Sequence, residues 1–124
     1  MANVVTNTGK GILVNRALGS GTEPKYIGIG TGAGTAAATD TTLFTESGST
    51  RITGTSSAVT VTTTGDTYQV AGTYTASGTI GVTNAGLWDN ATVGSGSLFA
   101  KSDFSTVNLT SGDSIAFTFK VTVA

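Results

Sequence analysis

Hydroxyl groups are the commonest candidate nucleophiles in this chain, and nothing in it is placed to activate them. The 124 residues include no histidine and no cysteine. That removes imidazole acid–base chemistry, thiolate nucleophiles, disulfides, and the zinc, haem and iron–sulfur sites built from those ligands. A serine nucleophile needs a neighbouring base. Only Lys10, Lys25, Lys101 and Lys120 could serve, and no Ser-x-x-Lys run occurs. Lys101 and Lys120 fall on the expected solvent faces of strands. The seven carboxylates are scattered. Asp89-Asn90 and Asp103 would form a weak oxygen-rich site if their strands paired, but no spaced Asp-x-Asp-x-Asp-Gly calcium loop exists. Asp66, Asp89 and Asp113 each sit beside expected turns, where aspartate bonds its own backbone. No catalytic, cofactor or metal set is assigned, and the chain is read as a non-enzyme.

One glycine run invites a nucleotide reading. Gly28-Ile29-Gly30-Thr31-Gly32-Ala33-Gly34 lacks the offsets 0, 2 and 5 of a dinucleotide fingerprint, and no Gly-Lys-Ser/Thr follows it. The run is therefore expected to mark a strand end and turn where neighbouring backbone approaches closely. Trp88, the only tryptophan, follows Leu87. Adjacent strand residues point to opposite faces, so one of the two is expected to face away from the domain's core. Trp88 either packs in that core or stands outward, where an aromatic suits a subunit contact.

The elements that must position these residues follow from composition. Threonine (26), glycine (18) and serine (12) supply 56 of the residues, while charged residues are only 10%, against about 25% in ordinary domains. Mean hydropathy is +0.18, too high for a disordered chain. β-Branched threonine fits a pleated, half-buried surface. A net charge of −1 with six basic residues excludes a strong nucleic-acid footprint. No apolar run is long enough to span a membrane, and no secretory leader is visible at the N-terminus, so synthesis in the cytoplasm is expected.

Residues 1–8 read as an N-terminal arm with Val4-Val5 as a short strand. Asn7 or Thr8 is expected to cap a helix over 9–18, with Ile12, Leu13, Ala17 and Leu18 as its apolar stripe. Residues 25–30 form a strand, and 31–46 a long ordered loop anchored by Leu43 and Phe44. Runs 57–64 and 67–76 flank Gly65-Asp66, a two-residue hairpin turn. That turn would set opposed positions to sum to 131, pairing Val61 with Val70. Strands follow over 79–83 and 97–103, with 84–89 as a turn feeding a further strand. In residues 114–123, Ile115, Phe117, Phe119, Val121 and Val123 alternate with Ala116, Thr118, Lys120 and Thr122, giving a strand with one face in the core. The expected fold is all-β: one antiparallel sandwich domain over 1–124, Ig-like or jelly-roll-like, with one short N-terminal helix.

Pro24-Lys25-Tyr26-Ile27-Gly28-Ile29-Gly30-Thr31-Gly32, then Ala38-Thr39-Asp40-Thr41-Thr42-Leu43 and Glu46, resemble a run in small virion proteins of tailed bacteriophages. Asn84-Ala85-Gly86-Leu87-Trp88-Asp89, and Phe104 with Asn108-Leu109 and Ser111-Gly112-Asp113-Ser114-Ile115, are similar to the same family's closing segments. Trp88 stands where that pattern leads one to expect Phe. The resemblance implies an Ig-like or related sandwich within a phage particle, with no catalytic residues to carry over. It implies a capsid decoration (cement) protein, or a tail or fibre component contacting the host surface. A carbohydrate- or cell-surface-binding sandwich module is the reading from another class. The implied partners are the major capsid protein or tail proteins, and further copies of the chain, commonly as a trimer. Few charges guard the strand edges, so a homo-oligomer is expected, with Val4, Val5, Trp88 and Asp89 as its interface residues and the virion as its location.

Overall fold

The computed structural model describes residues 2–48 and 50–123. The chain runs β1 (Asn3–Val5), α1 (Asn7–Ala17), β2 (Tyr26–Gly30), β3 (Ile52–Thr53), β4 (Thr55–Val59), β5 (Thr67–Thr75), β6 (Ile80–Trp88), β7 (Leu98–Leu109) and β8 (Ser114–Thr122). Two antiparallel sheets form, in the orders β1-β7-β6-β2-β3 and β4-β5-β8. Ile27, Leu87 and Phe99 of the larger sheet meet Val70, Phe117 and Phe119 of the smaller one. The architecture is an all-β sandwich with a single short helix, as the composition implies.

β1 is not a free arm. It pairs with β7 of its own chain, Val4 opposite Lys101 and Val5 opposite Ala100. The pairing hands directly on to the helix: the Thr6 N–H donates to the Phe99 carbonyl, and its hydroxyl accepts from the Gly9 N–H at 2.9 Å. Thr6 is therefore the N-cap, one or two residues ahead of the expected Asn7 or Thr8. A side chain at Gly9 would run into the Phe99 carbonyl oxygen. Glycine here lets the first helical turn rest on β7. Only Gly9 and Ile12 are buried, whereas Leu13 (44% exposed), Val14 (60%) and Leu18 (75%) face outward. The expected stripe fails because the helix docks through its first turn and one isoleucine rather than along its length.

The hairpin forms with a different register. β4 and β5 pair Ser56 with Val70 and Val59 with Thr67, so opposed positions sum to 126 rather than 131. The cause is Asp66, whose carboxylate accepts the N–H groups of Val61, Thr62 and Thr63. Those three bonds draw the connection into a seven-residue loop, and Val61 stands 58% exposed. The shift is odd, so it turns β4 over.

β6 is one continuous strand where a strand and a turn were expected, and β7 extends to Leu109. In β8 the predicted alternation holds from Ile115 to Val121: Ile115, Phe117, Phe119 and Val121 are half-buried while the residues between them are exposed. Val123, expected inward, lies past the strand end and is 63% exposed. Gly54, whose N–H donates to the Lys25 carbonyl at 2.8 Å, marks the corner where the chain crosses from β3 into β4.

Candidate functional site

The two faces of the larger sheet are covered in different ways. Residues 31–48 lie across the face turned away from the smaller sheet, and two buried cations hold them there. Arg51 is 3% exposed. Its guanidinium grips Glu46 through two bonds, Nε to Oε2 at 2.7 Å and Nη2 to Oε1 at 2.8 Å. Nη1 donates to the carbonyls of Asn90, Thr92 and Ser95, and the group stacks 3.7 Å from the Trp88 ring centre. Lys101 is 1% exposed. Its Nζ reaches Asp40 at 3.0 Å and the Thr42 carbonyl at 2.8 Å, and lies 3.2 Å from the Phe44 ring centre. Each cation thus meets an acid, at least one backbone carbonyl and an aromatic face, the set that offsets removal from water.

Glycines bring the covering chain close. A Cβ at Gly28 would strike the Glu46 carboxylate, one at Gly30 the Phe44 carbonyl, and one at Gly86 the Leu43 side chain. The Gly28–Gly34 run is therefore a packing strip, in line with the close-approach reading. Asn84, fully buried, accepts from the Phe44 N–H and donates to the Phe44 carbonyl. The Asp103 carboxylate accepts from Ala36 and Ala2, joining the loop to the N-terminal strand.

The opposite face is only partly covered. β8 is the last strand of the smaller sheet, while β1 is the last of the larger. Between them runs a trough of about 950 Å³, lined by Val4, Val5, Phe104, Val107 and the inward residues of β8 from Ile115 to Val121. Along its walls, the outer edge of β8 has no strand partner among the described residues. β7 has one only at residues 100–102, where β1 lies. The lining includes no acid; its charged residues are Lys101, committed to Asp40, and Lys120 at the rim.

These positions revise several expectations. Leu87 and Trp88 are both buried: Leu87 packs between the sheets and Trp88 beneath the loop with Leu43 and Leu98, because both faces of the sheet are covered. Trp88 is turned inward, its Nε1 without a protein acceptor among the described residues. Lys101, expected on a solvent face, is buried for the same reason. Asp89 accepts the Ser97 N–H at 2.7 Å while Asp103 serves Ala2 and Ala36, so the two carboxylates do not converge. Among the described residues no three acidic groups form a metal cluster. Val4 and Val5 are half-buried at the trough wall. Sequence reasoning missed Arg51 and its pairing with Glu46, which entered only through the resemblance, since a salt bridge inside an aperiodic loop leaves no pattern to read.

Backbone donors set the acidities. The Thr63 N–H, then those of Val61 and Thr62 and the Thr67 hydroxyl, hold the Asp66 carboxyl far below its ordinary range. Ala36 lowers the Asp103 carboxyl, Thr110 that of Asp113, and Ala37 with the Lys101 ammonium that of Asp40. Among the described residues no helix is long and apolar enough to cross a membrane. Comparison with protein families, curated proteins and solved structures finds no match to this chain.

Proposed function

We propose that this protein is a non-enzymatic structural component of a tailed-bacteriophage virion, acting as a capsid decoration protein that stabilises the head. The observation that supports this reading most directly is how the polar groups are used. The two buried cations and the acids facing them are consumed in fixing the loop to the sheet, leaving a rigid β domain whose open feature is apolar. The resemblance of residues 24–32, 38–43, 84–89 and 111–115, with Glu46, Phe104, Asn108 and Leu109, to small virion proteins supplies the particle. The working unit is a homo-oligomer, a trimer by that resemblance, and its partner is the major capsid protein.

Decoration acts by mass action: contacts repeated over a lattice stabilise the shell wherever the protein binds the assembled state better than its parts. Particles stripped of the protein are expected to release their genomes at a lower temperature than complete ones. Equal release temperatures would end the cement reading. Labelled protein is expected evenly over the head; a signal at the tail would transfer the role to a tail or fibre component.

A further inference from the structure

The trough between β1 and β8 has the shape of a missing strand position. The larger sheet continues outward through β7 to β1, while the smaller sheet stops at β8, which packs over β7 through Phe104 and Phe117 with ring centres 6.4 Å apart. β1 thus has no strand of the smaller sheet above it. Two free backbone edges border the opening, β8 along its length and residues 104–109 of β7. Its floor carries Phe104, Val107, Phe117, Phe119 and Val121. Compact ligands are gripped by convergent polar groups, and none converge here. Paired free edges over an apolar floor fit an extended strand, held by main-chain bonds with alternate side chains facing down.

We infer that this trough is a self-association site, occupied by the β1 edge of a second copy lying beside β8. Three features favour a second copy. Proteins that stay monomeric block such edges with lysines, prolines or bulges, and β8 has a single lysine, Lys120. The trough and the outward β1 edge lie on the same side of the molecule, so each copy offers both halves of the contact, the seat and the strand. The charges also match: β1 (Asn3–Val5) carries none, and the trough offers only Lys120 as a free charge, so seating β1 buries no unpaired ion. The inference rests on the reading of the protein as an assembly subunit and names the surface that assembly uses. Trp88 and Asp89 have no part in it.

The test is the sedimentation-equilibrium mass of the full chain at roughly 1–100 μM, the range in which micromolar contacts are read. Wild-type protein is expected as an oligomer. Ser105→Glu and Val107→Glu place a charge on exposed trough positions and are expected to weaken association at least ~10-fold. Their circular dichroism and melting should stay close to wild type. Val61→Glu, also exposed (58%) but outside the trough, is expected to leave the mass unchanged. A wild-type monomer throughout this range overturns the inference, and so does assembly that survives both trough substitutions. Trough-dependent oligomers that fail to bind phage heads would leave this interface standing and sink the decoration role instead.

Discussion

The two faces of the larger sheet solve burial in opposite ways. On one, an irregular, polar, glycine-rich segment is pinned by Arg51 and Lys101 and buries Gly28, Asn84, Gly86 and Trp88 beneath it. On the other, a regular apolar sheet covers the centre and stops short of the edge. The sealed face uses costly chemistry, buried charge, to hold chain that has no strand ladder of its own. The unsealed face uses only apolar contact and backbone pairing, both of which another chain can supply. The loop side is therefore closed by its own polar contacts, and the sandwich side is where the proposed partner would sit.

The sharpest way to break this contrast is to remove one half of a clamp. Arg51→Met leaves Glu46 buried without its counter-ion and strands three carbonyls. It is expected to cost ~3–5 kcal/mol, measured by urea unfolding. The double variant Arg51→Met with Glu46→Gln should recover a substantial part, because the penalty is mainly the uncompensated charge. A cost below ~1 kcal/mol for Arg51→Met would mean that the loop is not held by this pair.

The sandwich side grades more gently. Phe99 is 1% exposed, while Phe117 is half-buried at the trough. Phe99→Ala is expected to cost ~3–5 kcal/mol, and Phe117→Ala about 2 kcal/mol, the smaller loss reflecting the surface it already shows to water. Equal losses would mean that the trough is filled within the monomer. Thr118→Ala, on the exposed side of β8, should stay below ~0.5 kcal/mol.

A glycine pair tests how the helix docks. Gly9→Ala forces a methyl into the Phe99 carbonyl and is expected to destabilise by ~1–3 kcal/mol. Gly11→Ala meets nothing within 4 Å and should stabilise by up to ~1 kcal/mol through helix propensity alone. Thermal melting of both variants decides it. The same sign for both would place the helix differently against β7.

What could be read in advance follows the same division. β8 was legible because alternation of Ile115, Phe117, Phe119 and Val121 is local and periodic, and the Gly28–Gly34 strip because its spacing rules out the phosphate motifs. The clamps were not. Lys101 and Asp40 lie 61 positions apart, and Glu46 and Arg51 sit in a segment with no period, so only the folded chain brings each pair together. The hairpin was half legible: its strands have a pattern, but its register was set by three bonds to one carboxylate. The trough was invisible for another reason. It is the absence of a strand, and no residue encodes that.

The last expectation joins the two faces through pH. The carboxyls of Asp40, Asp66, Asp103 and Asp113 are all lowered in the folded protein. A lowered group contributes stability that is complete above its unfolded pKa, about 3.9, and lost as pH falls through the folded value. Burial, with Glu23 nearby, raises the Tyr68 hydroxyl; its contribution is complete below about 10 and lost above that. With no histidine, stability should be flat from roughly pH 5 to 9 and fall on both sides. Asp66→Asn should flatten the acid limb. Self-association is expected to ignore this window too, because no acid lines the trough and its one free charge, Lys120, sits at the rim. Added salt should also do little, screening only that one rim charge. Oligomer mass constant across pH 5–9 while the acid limb shifts in Asp66→Asn would separate the apolar interface from the carboxylate-tied fold. Association that collapses with salt or within this window would place charge at the interface, and the trough could not be its seat.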